Sequence, residues 1–371
     1  MAPGTRGLAS GPVLGAIGMR RYREVSPSAA DVVSRRLLAE RGDVHRQLGA
    51  RGLEACRADL ASHLEFLAAV FEFGMVTPMV DYLRWVESML ASRGIPAGHL
   101  ALSLDWISEY LGAHLDRRDA VIVTEAIAGV KEAFLAAREA APAYDVQKPE
   151  EWTECPRFVK ALLGGDRRDA LWMVDHRLGL GHTVVEAGAH LIQPALYEIG
   201  RRWQVNEISV AQEHLATATA QSVMMQALAH AVVKEPNGRT AVLACVEGNQ
   251  HSVGLQMVAD ALHLSGWRVQ YLGADVPTVD LLRHIGLLRP DLVGLSVVFA
   301  QQMHVVREVI ARLGEAYGTS RPPVIVGGLG TRGVDDVAAT LGADAWSADA
   351  GGAVREAVVL GAHGDGMSGS D

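Results

Sequence analysis

The stretch TAVLACVEGNQHSVGLQMVADALHLSGW, residues 240–267, changes its pattern twice. Residues 240–246 form an apolar run of small and branched side chains, which predicts a buried strand. A polar loop with a single histidine, His251, follows, and Gly254 lies at the start of an apolar pattern with helical spacing. A buried strand that leads through a short loop into a helix is typical of a parallel α/β sheet.

The same alternation of strand and helix continues toward the end of the chain. Four further strands are predicted, each followed by a helical pattern: WRVQYLG, LVGLSVV, PVIVGG and DAWSA. Together these units predict a flavodoxin-like, doubly wound parallel sheet over residues 237–362, with a disordered tail over 363–371. Ligands bind such sheets beyond the carboxyl ends of the strands, where the strand order reverses, and the loop 247–253 lies at that edge.

The residues before this sheet have helical patterns only. Apolar residues at helical spacing predict an all-α domain over residues 29–143, after a flexible leader over 1–28. Residues 144–236 contain a polar, proline-containing linker and then four helical patterns, which predict a four-helix bundle. The last of these helices begins at Ser209, whose spacing to Gln212 predicts a capping box. The chain is therefore predicted to have several domains.

The composition argues against several classes of protein. The chain has 371 residues, of which 49% are hydrophobic, and a net charge of −9, as is typical of a soluble, cytoplasmic protein. None of its apolar runs reaches the roughly 18 residues that a membrane-spanning helix needs. Lysine and arginine are scattered, whereas direct nucleic-acid binding requires a basic patch. Cys56, Cys155 and Cys245 are too far apart in sequence to predict a disulfide framework or a zinc cluster.

His251 has two interpretations. It is either a residue at a helix start that hydrogen-bonds locally or a metal ligand, because neutral imidazole is a common ligand of transition metals. Gly248 and Gly254 let the backbone approach a large group, and Asn249 is placed to hydrogen-bond the second ring nitrogen of His251. The loops after later strands bring a serine and a pair of glycines to the same edge, which favours a ligand site there.

The stretches NQHSVG, SVV and GG resemble the Asp-x-His-x-x-Gly, Ser-x-Leu and Gly-Gly motifs of the cobalamin-binding domain family. The resemblance implies that His251 is the lower axial ligand of cobalt, while the displaced dimethylbenzimidazole tail enters a slot beside the serine and the glycines. It implies these cofactor-binding residues: Glu247, Asn249, His251, Ser252, Gly254, Ser296, Val298, Gly327 and Gly328. Two positions depart from the pattern, because Asn249 replaces aspartate and Val298 replaces leucine. Glu247 is the candidate for supplying the missing negative charge.

The bundle contains a second motif, RRWQVNEISVAQEHL, residues 201–215. Trp203 and Glu213 suit an ordinary bundle, in which an acid near a helix start interacts favourably with the helix dipole. The same spacing, Trp-x9-Glu-His, resembles the signature of light-sensing cobalamin proteins. That resemblance implies that Trp203 packs on a 5′-deoxyadenosyl group and that Glu213 hydrogen-bonds its ribose. It also implies that His214 takes the vacated upper position on cobalt after light has broken the cobalt–carbon bond.

The stretch HLEFLAAVFEFGMVTPMVDYLRWVESMLASRGIP, residues 63–96, resembles the photocobilins, whose globin-like N-terminal domain binds a linear tetrapyrrole such as biliverdin. The resemblance implies these contacts to the pigment: His63, Tyr82, Arg84, Trp85 and His99. The same spacing is also typical of an ordinary helical core and surface, so that interpretation stays open. Cys56 is the only cysteine of this domain and is not convincingly placed for covalent attachment.

These features together predict a cobalamin-dependent photoreceptor that binds adenosylcobalamin, with biliverdin as a second pigment, and that is not an enzyme. Motion of the bundle would signal to another copy of the chain, as a dimer or larger homo-oligomer, or to a downstream signalling protein. The alternative is a corrinoid shuttle protein that carries methylcobalamin for a methyltransferase, because such proteins pair a helical bundle with the same sheet. A mutase subunit would need a substrate barrel, for which the chain is too short. A flavodoxin-like domain that binds a different ligand is a further alternative if Asn249 weakens cobalt ligation.

Overall fold

The computed structural model describes residues 13–40, 52–95, 98–139 and 151–365. The chain divides into two compact units, Met1–Asp145 and Val146–Asp371. Residues 1–12 of the predicted leader, 144–150 of the predicted linker and 366–371 of the predicted tail lie outside the described residues. None of the helices in the described ranges is long and apolar enough to cross a membrane.

The first unit is helical throughout its described residues. Its helices are α1 (Ala16–Glu40), α2 (Gly52–Phe73), α3 (Val76–Ser92), α4 (His99–His114) and α5 (Arg117–Glu139). Helix α1 packs against α2 and α4, and α5 packs against α3 and α4. They enclose one apolar core, in which Leu67, Phe71, Leu104 and Ile107 are fully buried. This confirms the predicted all-α fold of the N-terminal region.

Helix α1 begins earlier than the sequence predicts, because residues 16–28 belong to the helix and not to a leader. Tyr22 is 2% exposed, donates a hydrogen bond to the carbonyl of Leu64 and packs edge-on against Phe71, with the ring centroids 5.0 Å apart. Pro27 lies inside the helix. Proline usually ends a helix because it lacks an N–H, so the sequence SPS resembles a boundary. Tertiary packing of Tyr22 and its neighbours overrides that local signal.

The bundle of the second unit contains the predicted helices. They are α6 (Cys155–Leu163), α7 (Arg167–Gly179), α8 (Val184–Ala187), a π-helical turn (Gly188–Ile192), α9 (Gln193–Gln204) and α10 (Val210–Ala229). The third predicted helix is continuous over 184–204 but contains the π turn, where the N–H of Gln193 donates to the carbonyl of Gly188. The capping box is confirmed, since the Ser209 side chain accepts from the N–H of Gln212.

The second half of this unit is the α/β module. Its strands are β1 (Thr240–Cys245), β2 (Arg268–Tyr271), β3 (Leu292–Ser296), β4 (Val324–Gly327) and β5 (Ala345–Ser347). Its helices are α11 (Val253–Leu264), α12 (Thr278–Leu288), α13 (Met303–Tyr317), α14 (Val337–Leu341) and α15 (Ala350–Asp365), with 3-10 turns at Ala300–Gln302, Gly318–Ser320 and Leu329–Thr331. The strands are parallel in the order β2-β1-β3-β4-β5, which confirms the flavodoxin-like topology.

The strand order reverses at β1, whose neighbours in the sheet are β2 and β3. At the carboxyl edge Cys245 pairs with Ser296, which pairs with Gly327. The loop after β1 leaves the sheet at this edge and leads into α11, whose Val253 and Met257 pack against the apolar core of the bundle. The bundle therefore lies against the start of α11, directly after the loop that carries His251.

Candidate functional site

Asn249 lies at the centre of the loop between β1 and α11. Its side chain is fully buried, its Nδ2 donates to the carbonyl of Ser296 at 2.9 Å, and its Oδ1 accepts from the backbone N–H of His251 at 2.9 Å. The sequence predicts instead a bond to the second ring nitrogen of His251. Since a buried amide must satisfy both its oxygen and its nitrogen, the nearby backbone groups take both. Asn249 therefore fixes the backbone of the loop and makes no hydrogen bond to the imidazole of His251.

Asp275, which follows β2, holds the same loop from a second side. Its Oδ1 accepts from the N–H of Gly248 at 2.7 Å, and its Oδ2 accepts from Nε2 of Gln250 at 2.8 Å. Its own N–H donates to the carbonyl of Asn249 at 2.9 Å. Asp275 was not predicted from the sequence, although an acid directly after a strand, in YLGADVP, is a signal that could have found it.

Gln302 holds the loop from a third side and was also not predicted. It is 5% exposed, and its Nε2 donates to the carbonyl of Gly248 at 2.9 Å. Its Oε1 accepts from the backbone N–H groups of Val298 at 2.9 Å and Phe299 at 3.2 Å. The sequence AQQMHVV resembles a helix interior, so nothing local distinguishes this glutamine. Its one amide joins the loop after β1 to the loop after β3.

Glu247 does not supply charge to His251 as predicted. Its Oε2 accepts from the backbone N–H of Thr278 at 3.1 Å, and Thr278 is the first residue of α12. A carboxylate at that place satisfies a free N–H of the helix start and interacts favourably with the helix dipole. Glu247 therefore stabilises α12, and the acid that contacts the loop is Asp275.

His251 is held through its backbone, while its ring has no such restraint. The carbonyl accepts from the Cys245 thiol at 3.7 Å, and the ring stands edge-on to Phe299 with the centroids 5.8 Å apart. Within the described residues, no hydrogen bond involves either ring nitrogen of this exposed side chain. Partial desolvation lowers the pKa of the imidazole from its ordinary 6.5, and the carboxylate of Glu213 opposes that shift. The ring is therefore mainly neutral at pH 7, which is the form that binds metals.

Glu213 brings the bundle motif to the same place. It lies in the first turn of α10, and its carboxylate opposes the lowering of the pKa of His251, whose loop leads into the helix that packs against the bundle. Its Oε2 lies 2.6 Å from Nδ1 of His214, and its Oε1 accepts from the hydroxyl of Thr217 at 2.8 Å. The side chain of His214 is 74% exposed, and Trp203 is half-buried near the end of α9. The two motifs predicted to enclose a ligand thus lie on adjoining elements of the second unit.

The glycine pair after β4 is required by close backbone packing. Gly328 has φ 105°, and a Cβ at this position would lie 2.1 Å from the carbonyl oxygen of Val297. A Cβ on Gly327 would lie 2.8 Å from the carbonyl oxygen of Ser347. Tight contact between neighbouring loops explains both glycines without a ligand, so the slot for a cofactor tail stays a prediction.

The other predicted residues of this edge differ in their surroundings. Ser296 forms a side-chain hydrogen bond with Cys245, which opposes the effect of burial, and burial raises the pKa of that thiol to about 11. Ser252 accepts at its carbonyl from the hydroxyl of Tyr271 at 3.0 Å. Gly254 is exposed, and a Cβ there would meet nothing within 4 Å. Val298 is anchored by the bond from its N–H to Gln302.

Comparison with known proteins identifies the family. A family profile described as the B12 binding domain matches residues 239–359, and a second profile with that description matches residues 155–228. The HTH-type transcriptional repressor CarA of Myxococcus xanthus is 33% identical over 231 residues, which cover 59% of this chain and 70% of CarA. The chain belongs to the B12-binding family.

Two further relatives differ in the roles that their names give. The HTH-type transcriptional repressor CarH of Myxococcus xanthus is 37% identical over 150 residues, 40% of this chain and 48% of CarH. Dimethylamine corrinoid protein 2 of Methanosarcina acetivorans is 33% identical over 116 residues, 31% of this chain and 52% of that protein. The chain thus spans about half the length of these two relatives. The predicted cobalamin-binding character is confirmed at the level of the family.

The residues of this site fit the cofactor of the B12-binding family. Cobalt in a corrin ring lacks only axial ligands, and the neutral imidazole of His251 offers a suitable nitrogen. Glu213 and Trp203 are both half-buried on the bundle, the first in α10 and the second in α9, and they supply a carboxylate and an aromatic face.

Four of the five predicted pigment contacts form one cluster in the first unit, outside the segments matched by the B12-binding profiles. His63 is 3% exposed, its Nδ1 lies 2.8 Å from the hydroxyl of Tyr82, and the positive field of His99 contributes to lowering its pKa. Tyr82 and Trp85 have roughly parallel rings with centroids 6.3 Å apart, and Phe66 stacks on Tyr82 at 3.7 Å. Arg84 lies beside the cluster on α3, where it lowers the pKa of Asp81 against the larger effect of burial.

The first unit should lose stability in acid because of His63. Burial, with a smaller effect of His99, lowers the pKa of His63 from 6.5 to about 4. The unfolded chain therefore takes up the proton first, so this stabilisation is complete above pH 6.5 and is lost as the pH falls toward 4. The loss amounts to roughly 3 kcal/mol. Urea unfolding of the full chain at a series of pH values measures it.

The variant His63→Gln should flatten that pH dependence, because glutamine keeps a hydrogen bond to Tyr82 and does not titrate. The matched control is His114→Gln, since His114 is exposed and bonds only to the carbonyl of Tyr110. If the free energy of unfolding falls equally steeply with decreasing pH in both variants, His63 is not buried as described.

Proposed function

We propose that this protein is a light-sensing signalling protein that binds adenosylcobalamin between the bundle and the sheet of its second unit. One observation carries the proposal. The loop of His251 leads into α11, whose Val253 and Met257 pack against the core of the bundle that carries Glu213, so the two motifs lie on adjoining elements. Every polar contact of the His251 loop described above goes through its backbone or through Asn249 and Gln250, which leaves the imidazole available for cobalt.

Each motif residue has a distinct role in this proposal. His251 would supply a nitrogen ligand to cobalt, Trp203 would pack on the adenosyl group, and Glu213 would accept a hydrogen bond from its ribose. When bound, adenosylcobalamin would supply a light-sensitive cobalt–carbon bond. Trp203 on α9 and Glu213 on α10 would both lose a contact if the adenosyl group left. His214, whose side chain is 74% exposed beside Glu213, would then be available as a second nitrogen ligand.

The signal passes to another copy of the chain or to a downstream signalling protein. The names of CarA and CarH support a regulatory role, since both are transcriptional repressors. The proposal includes neither catalytic turnover nor direct binding of this chain to nucleic acid. Biliverdin in the first unit is its second element, supported by the clustering of His63, Tyr82, Trp85 and His99. The neutral state of His63 suits a hydrogen bond to a pyrrole better than an ion pair with a propionate.

The second candidate is a corrinoid shuttle that carries methylcobalamin for a methyltransferase. It is favoured by the likeness to the dimethylamine corrinoid protein, which matches 31% of this chain. The complete Trp-x9-Glu-His motif, Trp203 with Glu213 and His214, favours the light sensor. Illumination distinguishes the two.

Purified protein with adenosylcobalamin should show a corrinoid absorption spectrum in the dark that changes under blue or green light. The variant His214→Ala should bind in the dark as the unaltered chain does but should give a different illuminated spectrum, because the new upper nitrogen is missing. The matched control is His230→Ala, since His230 lies exposed at the opposite end of α10. Absorption spectroscopy before and after illumination measures all three proteins.

A spectrum that light leaves unchanged, together with preferential binding of methylcobalamin, would support the shuttle instead. An illuminated spectrum of His214→Ala identical to that of the unaltered chain would exclude His214 as the upper ligand. Adding biliverdin to the same sample tests the second element, since a bound pigment should give a red band that moves in His63→Gln.

A further inference from the structure

The loop that carries His251 depends on an acid that lies outside the three sequence motifs. Asp275 makes three hydrogen bonds to three consecutive residues of the loop, namely Gly248, Asn249 and Gln250, at 2.7 to 2.9 Å. Among the described residues, no other carboxylate is hydrogen-bonded to the segment 248–251. Asp275 reaches this position with φ 51°, a left-handed conformation that aspartate and asparagine adopt more readily than most residues.

The other candidates for this role are already engaged. Asn249 donates its amide to the carbonyl of Ser296, which an ionised aspartate at that position could not do. Glu247 accepts from the first N–H of α12. Asp275 therefore supplies the negative charge at this loop, and it does so through the backbone N–H of Gly248 and the amide of Gln250 instead of through the imidazole. Hydrogen bonds to an ionised acceptor are about twice as strong as neutral ones.

The direction of the His251 ring follows from this backbone. Its ring nitrogens make no hydrogen bond with the described residues, so the position of the ring depends on the loop conformation and on the edge contact with Phe299. A loop that moves carries the imidazole with it. The residue that fixes the loop consequently decides the direction in which the imidazole nitrogen points.

We propose that Asp275 is the positioning residue of the cobalt ligand: it fixes residues 248–250 so that the imidazole of His251 is held ready for cobalt. This rests on the cobalamin binding proposed above. Asp275 thus replaces in function the aspartate that the family motif has at position 249, but acts on the loop backbone and from a different strand end. Second-layer groups of this type typically change metal affinity by about 10- to 100-fold when they are removed.

Two variants separate this role from simple loss of fold. Asp275→Gly removes both acceptor oxygens, and glycine adopts the left-handed conformation without strain. Asp275→Asn keeps the shape and tolerates the same conformation but removes the charge. The matched control is Asp291→Asn, because Asp291 accepts from the N–H of Thr240 at 2.7 Å, at the opposite end of the same strand β1.

The measurement uses full-length protein labelled with nitrogen-15 at histidine and loaded with the Co(II) form of cobalamin. Electron paramagnetic resonance then distinguishes axial ligands, because a histidine nitrogen-15 gives doublets and the nitrogen-14 of the cofactor's own base gives triplets. The unaltered chain and Asp291→Asn should both give doublets. Asp275→Gly should lose the doublets in a large fraction of molecules and bind cobalamin about 10- to 100-fold more weakly, with Asp275→Asn between them.

Thermal unfolding of each protein without cobalamin shows whether it is folded. If a folded Asp275→Gly protein, or failing that Asp275→Asn, gives full doublets at unaltered affinity, Asp275 does not position the ligand. If the unaltered chain binds cobalamin without doublets, or if His251→Ala retains them, the ligand assignment fails and the proposed function fails with it. These outcomes are distinct, so either idea can be rejected without the other.

Discussion

Replacing His251 with alanine is expected to weaken cobalamin binding by at least about 100-fold, because loss of a ligand should cost no less than the 10- to 100-fold typical of its outer partners. The ring is exposed, and its nitrogens make no hydrogen bond within the described ranges, so the fold should be unaffected. The absorption spectrum of any cofactor still bound should lack the features of an imidazole ligand from the protein. Equilibrium titration followed by absorbance measures the affinity.

The control for this variant is His263→Ala. His263 is also exposed and belongs to α11, the helix that follows the His251 loop, but it lies in the last turn of that helix. It should bind cobalamin like the unaltered chain. Equal affinities and identical spectra for His251→Ala and the unaltered chain would contradict the assignment of His251 as the lower ligand.

Replacing Gly328 with alanine is expected to destabilise the α/β module by about 4 kcal/mol, at the upper end of what single substitutions do. Two causes act together. At φ 105° any residue with a Cβ is strained, and the added carbon would lie 2.1 Å from the carbonyl oxygen of Val297. That oxygen cannot easily move away, because it accepts from the N–H of Gly330, and the N–H of Val297 donates to Gly327. Urea unfolding of the full chain measures the loss.

Gly254→Ala is the matched control for this glycine. Gly254 lies in the first turn of α11, and its added Cβ would meet nothing within 4 Å. Alanine should therefore leave stability unchanged or raise it by about 0.5–1 kcal/mol, as is usual inside a helix. If a cofactor approaches the backbone there as the motif implies, the same variant should bind cobalamin less tightly. An unchanged unfolding midpoint for Gly328→Ala would contradict the close approach of the two loops.

The sequence was sufficient to predict the architecture, because periodicity records which face of each element is buried. The strand 240–246 and the capping box of Ser209 with Gln212 are local signals of that type, and both agree with the structure. The sequence predicts a leader that includes residues 16–28, whereas the burial of Tyr22 keeps them in α1. Local signals fail where distant packing decides.

The partners of the site residues could not be predicted for a related reason. The bonds that fix the His251 loop join residues 27 positions apart for Asp275, 47 for Asn249 to Ser296 and 54 for Gln302. No periodicity encodes such pairs, since they depend on which strand ends become neighbours in the sheet. Motif spacing identified His251 and Glu213. It did not predict that Asn249 accepts from the backbone N–H of His251 or that Glu247 accepts from the backbone N–H of Thr278.

The π turn at Gly188–Ile192 sets the rotational phase of the helix that follows it. Such a turn contains one more residue than an α-helical turn, and successive residues of an α-helix are offset by about 100° around its axis. Without the surplus residue, every side chain of α9 would be turned by about that angle relative to α8. Tyr197, over which Arg332 of the β4 loop lies at 5.9 Å, would then be turned away from that arginine. One inserted residue thus determines the direction in which Tyr197 points from the axis of α9.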